Sequence, residues 1–277
     1  MQVVVTKHHG LGNDFLVLDL GQLHSQQIDP ATIDWSGVAK LWCDRQGGVG
    51  ADGLLLLTRV DEFKLQMQLF NQDGSRAEMS GNGIRCLAQA AFDTDGHNSA
   101  VSYTVATDAG DRVVDVEPIS HDEVRASVDM GPIETIEAPK NWSQIGSDPN
   151  RPVMHLSVGN PHTVVGVEDV SVVNLLEIGQ KIPQVNLEII EPGPESHAIT
   201  MRVHERGAGI TQACGTGACA SAWAASKWGL VPGSVRDVLV HQPGGDASVR
   251  LNHPQPGHVT LIGPAHFASR HNLELAL

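Results

Sequence analysis

The chain has 277 residues, 18 basic against 32 acidic, and a formal net charge of -14. A balance this acidic argues against nucleic acid as a partner, because phosphate binding wants a basic face. No run nears the ~18 apolar residues of a membrane span. Apolar content of 41% suffices to bury a core, and the length suits one large domain or two of roughly 140 residues. The 14 histidines are scattered without ligand spacing, so no metal is expected. The 4 cysteines, at positions 43, 86, 214 and 219, form no Cys-x2-Cys pair. Free thiols in a reducing cytoplasm fit them better than a disulfide frame. Met1-Gln2-Val3-Val4-Val5 runs straight into a folded pattern, with no basic leader or cleavage site, so no export signal is expected.

Alternation from Met1 to Lys7 predicts a strand, followed by the turn Gly10-Leu11-Gly12-Asn13-Asp14 and a strand over Phe15 to Asp19. Residues 30–43 read as one helix with Ile33, Val38, Leu41 and Trp42 on its apolar side. A glycine loop over 47–53 leads to the strand Leu54 to Thr58, and Leu65 to Phe70 alternates with period 2. The turn Asn71-Gln72-Asp73-Gly74-Ser75 precedes a helix from Gly81 to about Phe92. Strands are predicted at Val101–Thr107, Arg112–Glu117, Val124–Met130, Val153–Val158 and Thr163–Val167, with the Pro-rich stretch 139–152 as a surface excursion. A helix over 169–182 follows, then strands at Asn186–Ile190 and Ala198–His204. The loop 207–209 leads into a helix over Gly215–Trp228. Strands near 235–241, 246–251 and 258–262 finish the plan, and Ala265–Arg270 is placed to pair back onto the first domain.

The two helices announce themselves in matching words. Ser80-Gly81-Asn82-Gly83 opens one and Cys214-Gly215-Thr216-Gly217 the other. At an offset of 134 residues, five of twelve positions through Ala91 and Ala225 are identical. Each block puts a small nucleophilic side chain at a helix mouth, where unpaired first-turn amides and the helix dipole favour an anion and lower a thiol's pKa. Two such mouths acting on opposite faces of one carbon would suit its inversion. The repeat predicts two pseudo-symmetric α/β domains with a cleft between them. Residues 1–117 form the first, joined by 264–277, and 118–263 form the second.

Five motifs then define a resemblance over nearly the whole chain: His9-Gly10-Leu11-Gly12-Asn13-Asp14-Phe15, Asn71-x-Asp73-Gly74-Ser75, Gly81-Asn82-Gly83-x-Arg85-Cys86, Gly159-Asn160-Pro161-His162, and Glu205-Arg206-Gly207 through Cys214-Gly215-Thr216-Gly217-Ala218-Cys219. The chain resembles the diaminopimelate epimerases. The resemblance implies a cofactor-independent two-base mechanism, in which one thiolate takes the α-proton and the opposite thiol protonates the other face. Cys214 matches one of the family's two catalytic cysteines. The amides of Gly81, Asn82, Gly215 and Thr216 match those that hold the reacting carboxylate. Asn13, Asn71, Asn160, Asn186 and Arg206 match positions that grip the distal amino-acid end. His162 and Glu205 match positions that tune the catalytic groups, and Glu205 also lies in the substrate-binding set. The resemblance also implies an α/β (α+β) fold in which each domain is a curved, mostly antiparallel sheet around a central helix with the active site in the interdomain cleft, and a cytoplasmic homodimer with diaminopimelate as its small-molecule partner.

The chain departs from the family at Ser80, where the second catalytic cysteine belongs. A serine hydroxyl stays protonated unless a neighbouring base takes its proton. Three accounts stay open: an engineered change that arrests the enzyme, a natural replacement helped by His162 or Glu205, or a chain that has lost inversion and keeps one-base chemistry or binding. Gly53 is a smaller departure, where some members carry an amide side chain. The alternatives to diaminopimelate epimerisation are another cofactor-independent racemase, of histidine for instance, and a non-catalytic amino-acid-binding protein.

Overall fold

The structure is a computed structural model that describes every residue except 147 and 277. Those two, within the Pro-rich stretch and the C-terminal segment, lie outside the described residues. The chain divides into two units, Met1–Val128 with the segment from Gly263 onward, and Asp129–Ile262. The first unit runs past residue 117, the expected boundary, because the next strand still pairs with the one before it.

The first unit is built from β1 (Gln2–Gly10), β2 (Asn13–Asp19), a single helical turn α1 (Gly21–His24), α2 (Trp35–Cys43), β3 (Gly53–Arg59), β4 (Lys64–Asn71), β5 (Arg76–Ala77), α3 (Gly81–Asp95), β6 (Val101–Thr107), β7 (Gly110–Pro118) and β8 (Glu123–Pro132). β2 and β3 are parallel, as are β4 and β6. The pairs β1–β2, β3–β4, β4–β5, β6–β7 and β7–β8 are antiparallel. The second unit holds β9 (Glu134–Thr135), β10 (Val153–Ser157), β11 (Pro161–Gly166), α4 (Leu175–Lys181), β12 (Asn186–Pro192), β13 (Ala198–Glu205), β14 (Gly209–Thr211), α5 (Gly215–Trp228), β15 (Asp237–Gln242), β16 (Gly245–Leu251) and the start of β17 (His258–Glu274). Its pairings repeat the first unit's. β11–β12 and β13–β15 are parallel, and the hairpin-type pairs β10–β11, β12–β13, β13–β14, β15–β16 and β16–β17 are antiparallel. The fold is α+β, with one strand order used twice.

α3 and α5 are central because they are small and apolar nearly all round. Every residue from Gly81 to Phe92 is buried, and so are Gly215 to Ala222 with Ala224 and Ala225. A helix buried on every side needs strands on every side, and Ala and Gly let those strands approach. α3 touches β1, β2, β3, β4, β6 and β7; α5 touches β10, β11, β12, β13, β15 and β16. Both end on a left-handed glycine, Gly96 at φ 69° and Gly229 at φ 72°, the conformation glycine adopts at little steric cost.

The sheets also carry helices on their outer faces. Leu54 and Leu56 pack against Trp35, Ala39 and Trp42 of α2, while Leu55, one residue out of phase, faces α3 beside Gly83. Burial on both faces is why Leu54–Leu57 is an unbroken apolar run instead of an alternating one. In the second unit Leu187 and Ile189 of β12 pack with Leu175 in an outer cluster.

The expected helices over 30–43 and 169–182 are each broken in the same way. A 3-10 turn, Pro30–Thr32 or Val170–Val172, is capped by Asp29 or Asp169. The chain then extends, and Asp34 or Asn174 caps the true helix α2 or α4. Two capping side chains five residues apart offer amides a better partner than a continuous helix would. The strands expected separately at 258–262 and 265–270 are one, β17, whose part from His266 to Glu274 pairs antiparallel with β1. Pro264 does not break it. The short elements α1, β5, β9 and β14 carry too little periodicity to be read from sequence.

Leu55 is fully buried between β3 and α3. Leu55→Ala is expected to lower unfolding free energy by about 2–5 kcal/mol, read as a lower urea midpoint with an unchanged m-value.

Candidate active site

The mouths of α3 and α5 have nearly the same backbone. Ser80 sits at φ -138°, ψ 124° and Cys214 at φ -131°, ψ 115°. The Gly83 amide donates to Ser80 Oγ at 3.0 Å, and the Gly217 amide to Cys214 Sγ at 3.3 Å. The next amides, of Ile84 and Ala218, donate to the carbonyls of Ser80 and Cys214. The cap and the first helical bond therefore consume the third and fourth amides. Those of Gly81 and Asn82 at one mouth, and of Gly215 and Thr216 at the other, are the donors that the helix itself does not use.

In the first unit, Asn82 is buried and donates through Nδ2 to Asn13 Oδ1 at 3.3 Å, while its Oδ1 accepts from Arg85 at 2.9 Å. Arg85 is fully buried and donates through Nε to the Pro264 carbonyl at 3.2 Å. A Cβ on Gly263 would lie 3.0 Å from the guanidinium carbon, so glycine is what lets β17 approach. Asn13 in turn donates to Asp52 Oδ2. Arg45 joins Asp52 to Asp14, each at 2.7 Å, and Lys7 reaches Asp14 at 2.7 Å. Burial alone would raise the Asp14 carboxyl, but Arg45 and Lys7 outweigh it and hold the group down at about 2. Asn71, opposite Gly53 across β3–β4, donates to Ser75 Oγ at 3.0 Å within its turn. At Gly53 a Cβ would meet the Phe70 carbonyl oxygen at 2.8 Å, so this chain has closed the space that an amide side chain would need. Ser80 is partly exposed, and its cap is the one side-chain hydrogen bond it makes among the described residues.

The second unit is richer. Cys214 is 5% exposed, and its amide donates to Gln242 Oε1 at 2.9 Å. Its Sγ lies 3.4 Å from Thr216 Oγ1, which accepts from Asn160 Nδ2 at 3.4 Å. Asn160 Oδ1 is 2.8 Å from His162 Nε2, and His162 Nδ1 is 2.7 Å from Glu188 Oε1. Asn186 Oδ1 accepts from the Arg206 amide at 2.8 Å, and Asn186 Nδ2 donates to the Pro161 carbonyl. Thr211 donates to Glu205 Oε1, and the charge of Glu205 acts on the Cys214 thiol. Burial raises the Glu205 carboxyl above its ordinary value. The Thr211 hydrogen bond lowers it in part, and the neighbouring Glu188 raises it further.

Cys214 departs from the lowered thiol expected at a helix mouth. Burial, then the carboxylates of Glu205 and Glu188, push it well above the ordinary 9.0, and the Thr216 and Gly217 contacts offset only part of that. Burial and the two nearby acids hold the residue as a thiol, not a thiolate. Cys43 and Cys86 are pushed up to about 12, chiefly by burial.

The structure thus gathers Asn160, His162, Asn186, Glu205, Arg206, Cys214, Gly215 and Thr216 within the second unit. Asn13, Asn71, Ser80, Gly81 and Asn82 fall in the first. Sequence reasoning missed Glu188, Gln242 and Asp52. Glu188 left one legible sign, a lone charge flanked by Leu187 and Ile189-Ile190. Among the described residues, no group of three or more His, Cys, Asp or Glu converges as a metal-ion site.

Solved structures share this fold. A phenazine biosynthesis protein from Bacillus anthracis superposes with a TM-score of 0.73 at 14% identity, covering 99% of this chain and all of the other. A hydroxyproline epimerase from Agrobacterium vitis gives 0.69 at 16%, covering 98% and 91%. At these identities the likeness concerns architecture. The sequence goes further. The diaminopimelate epimerase family model matches residues 5–136 and 154–268. Diaminopimelate epimerases from Thermosynechococcus vestitus and Bacteroides thetaiotaomicron are 38% and 35% identical, over 96% and 95% of this chain and 97% and 95% of their own lengths. The chain belongs to the diaminopimelate epimerase family.

Alkylation by iodoacetamide, mapped by mass spectrometry, tests the raised thiol. Cys214 is expected to react slowly at neutral pH, with a rate still climbing above pH 9. Glu205→Gln removes one of the carboxylates that raise it and is expected to speed the reaction at a given pH.

Proposed function

We propose that this protein is an isomerase that interconverts LL- and meso-2,6-diaminopimelate without a cofactor, serving lysine and cell-wall precursor synthesis. The observation that carries the reading is the Cys214 mouth. It combines a buried thiol beside the Glu205 carboxyl with two amides that the helix itself does not use, in a chain whose residues 5–136 and 154–268 match the family. The amides of Gly215 and Thr216, with those of Gly81 and Asn82, hold the carboxylate of the reacting centre. Asn13, Asn71, Asn160, Asn186 and Arg206 hold the distal amino acid, where a guanidinium forks a carboxylate and amides both donate and accept.

In this reading two groups act on opposite faces of the α-carbon, in a site from which water is excluded. Cys214 passes its proton to Glu205 and, as thiolate, takes the α-proton. The carbanion is then protonated from the other face by the group at position 80. A serine there donates poorly, since the alkoxide left behind is much less stable than a thiolate. In the reverse direction it is a poor acceptor. Ser80 has no carboxylate or imidazole hydrogen-bonded to it among the described residues of its own unit, so Cys214 is the working base and Ser80 an impaired partner. The protein works in the cytoplasm as a homodimer. Sedimentation as a monomer at micromolar concentration would sink the dimer.

The test is α-hydrogen exchange in D2O, followed by NMR and chiral analysis, starting separately from LL- and meso-diaminopimelate. The unaltered chain is expected to exchange one stereoisomer far faster than the other, with little inversion. Ser80→Cys is expected to raise inversion by about 100-fold or more, the usual worth of a positioned acid–base group. Equal inversion by both chains would refute the impaired role of Ser80.

A further inference from the structure

The two units repeat strand for strand, yet what stands behind their helix mouths differs in kind. By the register of the parallel pairs, Phe15 opposite Gly53 corresponds to His162 opposite Asn186. Two residues further along β3 and β12, Leu55 corresponds to Glu188. Leu55, His162 and Glu188 are 0% exposed and Phe15 3%. A Cβ on Gly83 would lie 3.4 Å from Leu55, and a Cβ on Gly217 only 2.6 Å from Glu188 Oε1. The first unit builds this frame with an aromatic and an aliphatic residue. Packing therefore does not require a buried acid and imidazole in the second. Their burial carries a desolvation cost that an apolar pair avoids, and Glu188 Oε2 has no hydrogen-bond partner among the described residues.

The geometry gives the pair a task. Both ring nitrogens of His162 face oxygen: Nδ1 faces Glu188 Oε1 at 2.7 Å, and Nε2 faces Asn160 Oδ1 at 2.8 Å. An amide oxygen accepts and cannot donate, so Nε2 carries a proton. On the other side, Glu188 Oε1 lies within hydrogen-bond reach of Nδ1. With its oxygen so held, Asn160 turns its NH2 to Thr216, which touches Cys214 Sγ. The other ionisable groups acting on this pair are Glu205 from β13 and the Cys214 thiol at the mouth of α5; neither is hydrogen-bonded to the His162 ring.

We propose that Glu188 is a positioning residue whose carboxylate keeps a proton on each nitrogen of His162 and thereby fixes the direction of the Asn160 amide toward Thr216 and Cys214. The idea rests on the reading above only in taking Asn160 as a contact of the substrate.

Long-range 1H–15N spectra of the ring at neutral pH test the first half directly. The unaltered protein is expected to show His162 with both nitrogens protonated. Glu188→Gln, of the same shape without the charge, is expected to show one, and Glu188→Asp to restore two. A singly protonated ring in the unaltered protein, or a doubly protonated one in Glu188→Gln, would overturn the proposal. Calorimetric titration with meso-diaminopimelate tests the second half. Glu188→Gln is expected to bind roughly tenfold more weakly, the scale of one misdirected hydrogen bond. The double variant His162→Phe/Glu188→Leu copies the first unit. It is expected to melt no lower than the unaltered protein and yet bind more weakly still. Undiminished binding by both variants would also overturn the proposal. Failure of the unaltered chain to bind diaminopimelate would instead refute the substrate reading, with the ring spectra still deciding the role of Glu188.

Discussion

Everything in this protein depends on two helices that are buried from their first residue. A helix N-terminus leaves four amides unpaired, and burial denies them water. At each mouth the N-cap side chain takes one and the N-cap carbonyl another. The remaining two are left pointing at whatever occupies the mouth. A carboxylate is the natural occupant, because it brings charge to the positive end of the dipole and accepts from both donors. The capping requirement thus fixes the position of the residue at 80 or 214 and the anion site beside it in one step. Either a serine or a cysteine meets the capping need, and so the fold accepts Ser80 at this mouth.

The frame is used twice but lined differently. Behind α3 stand Phe15 and Leu55; behind α5 stand His162 and Glu188, with the charge of Glu205 acting on the thiol. These acids work against an activated thiolate in the ligand-free protein. Burial and two carboxylates raise Cys214 more than its hydrogen bonds with Thr216 and Gly217 lower it. In the proposed reaction this thiol gives its proton to the neighbouring carboxylate when substrate binds. It is also protected from adventitious oxidation, which attacks thiolates.

Polar residues inside the two sheets serve the same ends by different routes. In the first unit, Lys7, Arg45, Asp14 and Asp52 form a partly exposed network that ends on Asn13. In the second, a fully buried chain runs from Glu188 through His162 to Asn160. Each orients an asparagine at the start of the strand that leads away from its site. The asparagines correspond by register, yet the groups that aim them share no residue type.

How far the sequence reached can be judged element by element. The matching Ser80 and Cys214 blocks, the period-2 strands, the Ala-rich helices and the family motifs were legible, because capping, alternation and glycine turns are local rules written in adjacent residues. The breaks at Ile33–Asp34 and Val173–Asn174 escaped, because an apolar face with helical spacing does not reveal that a second cap competes for the same amides. The continuity of β17 escaped because a proline stops a strand only where its missing N–H is needed. By itself, then, the sequence determined the family, the doubled α+β plan and which side chains cap the buried helices. Only the tertiary structure decided that Cys214 is a raised thiol rather than a thiolate, and that Glu188 stands behind it. Desolvation and charge proximity depend on neighbours from β11, β12 and β13, which lie many residues away along the chain and meet only when the sheet closes around α5.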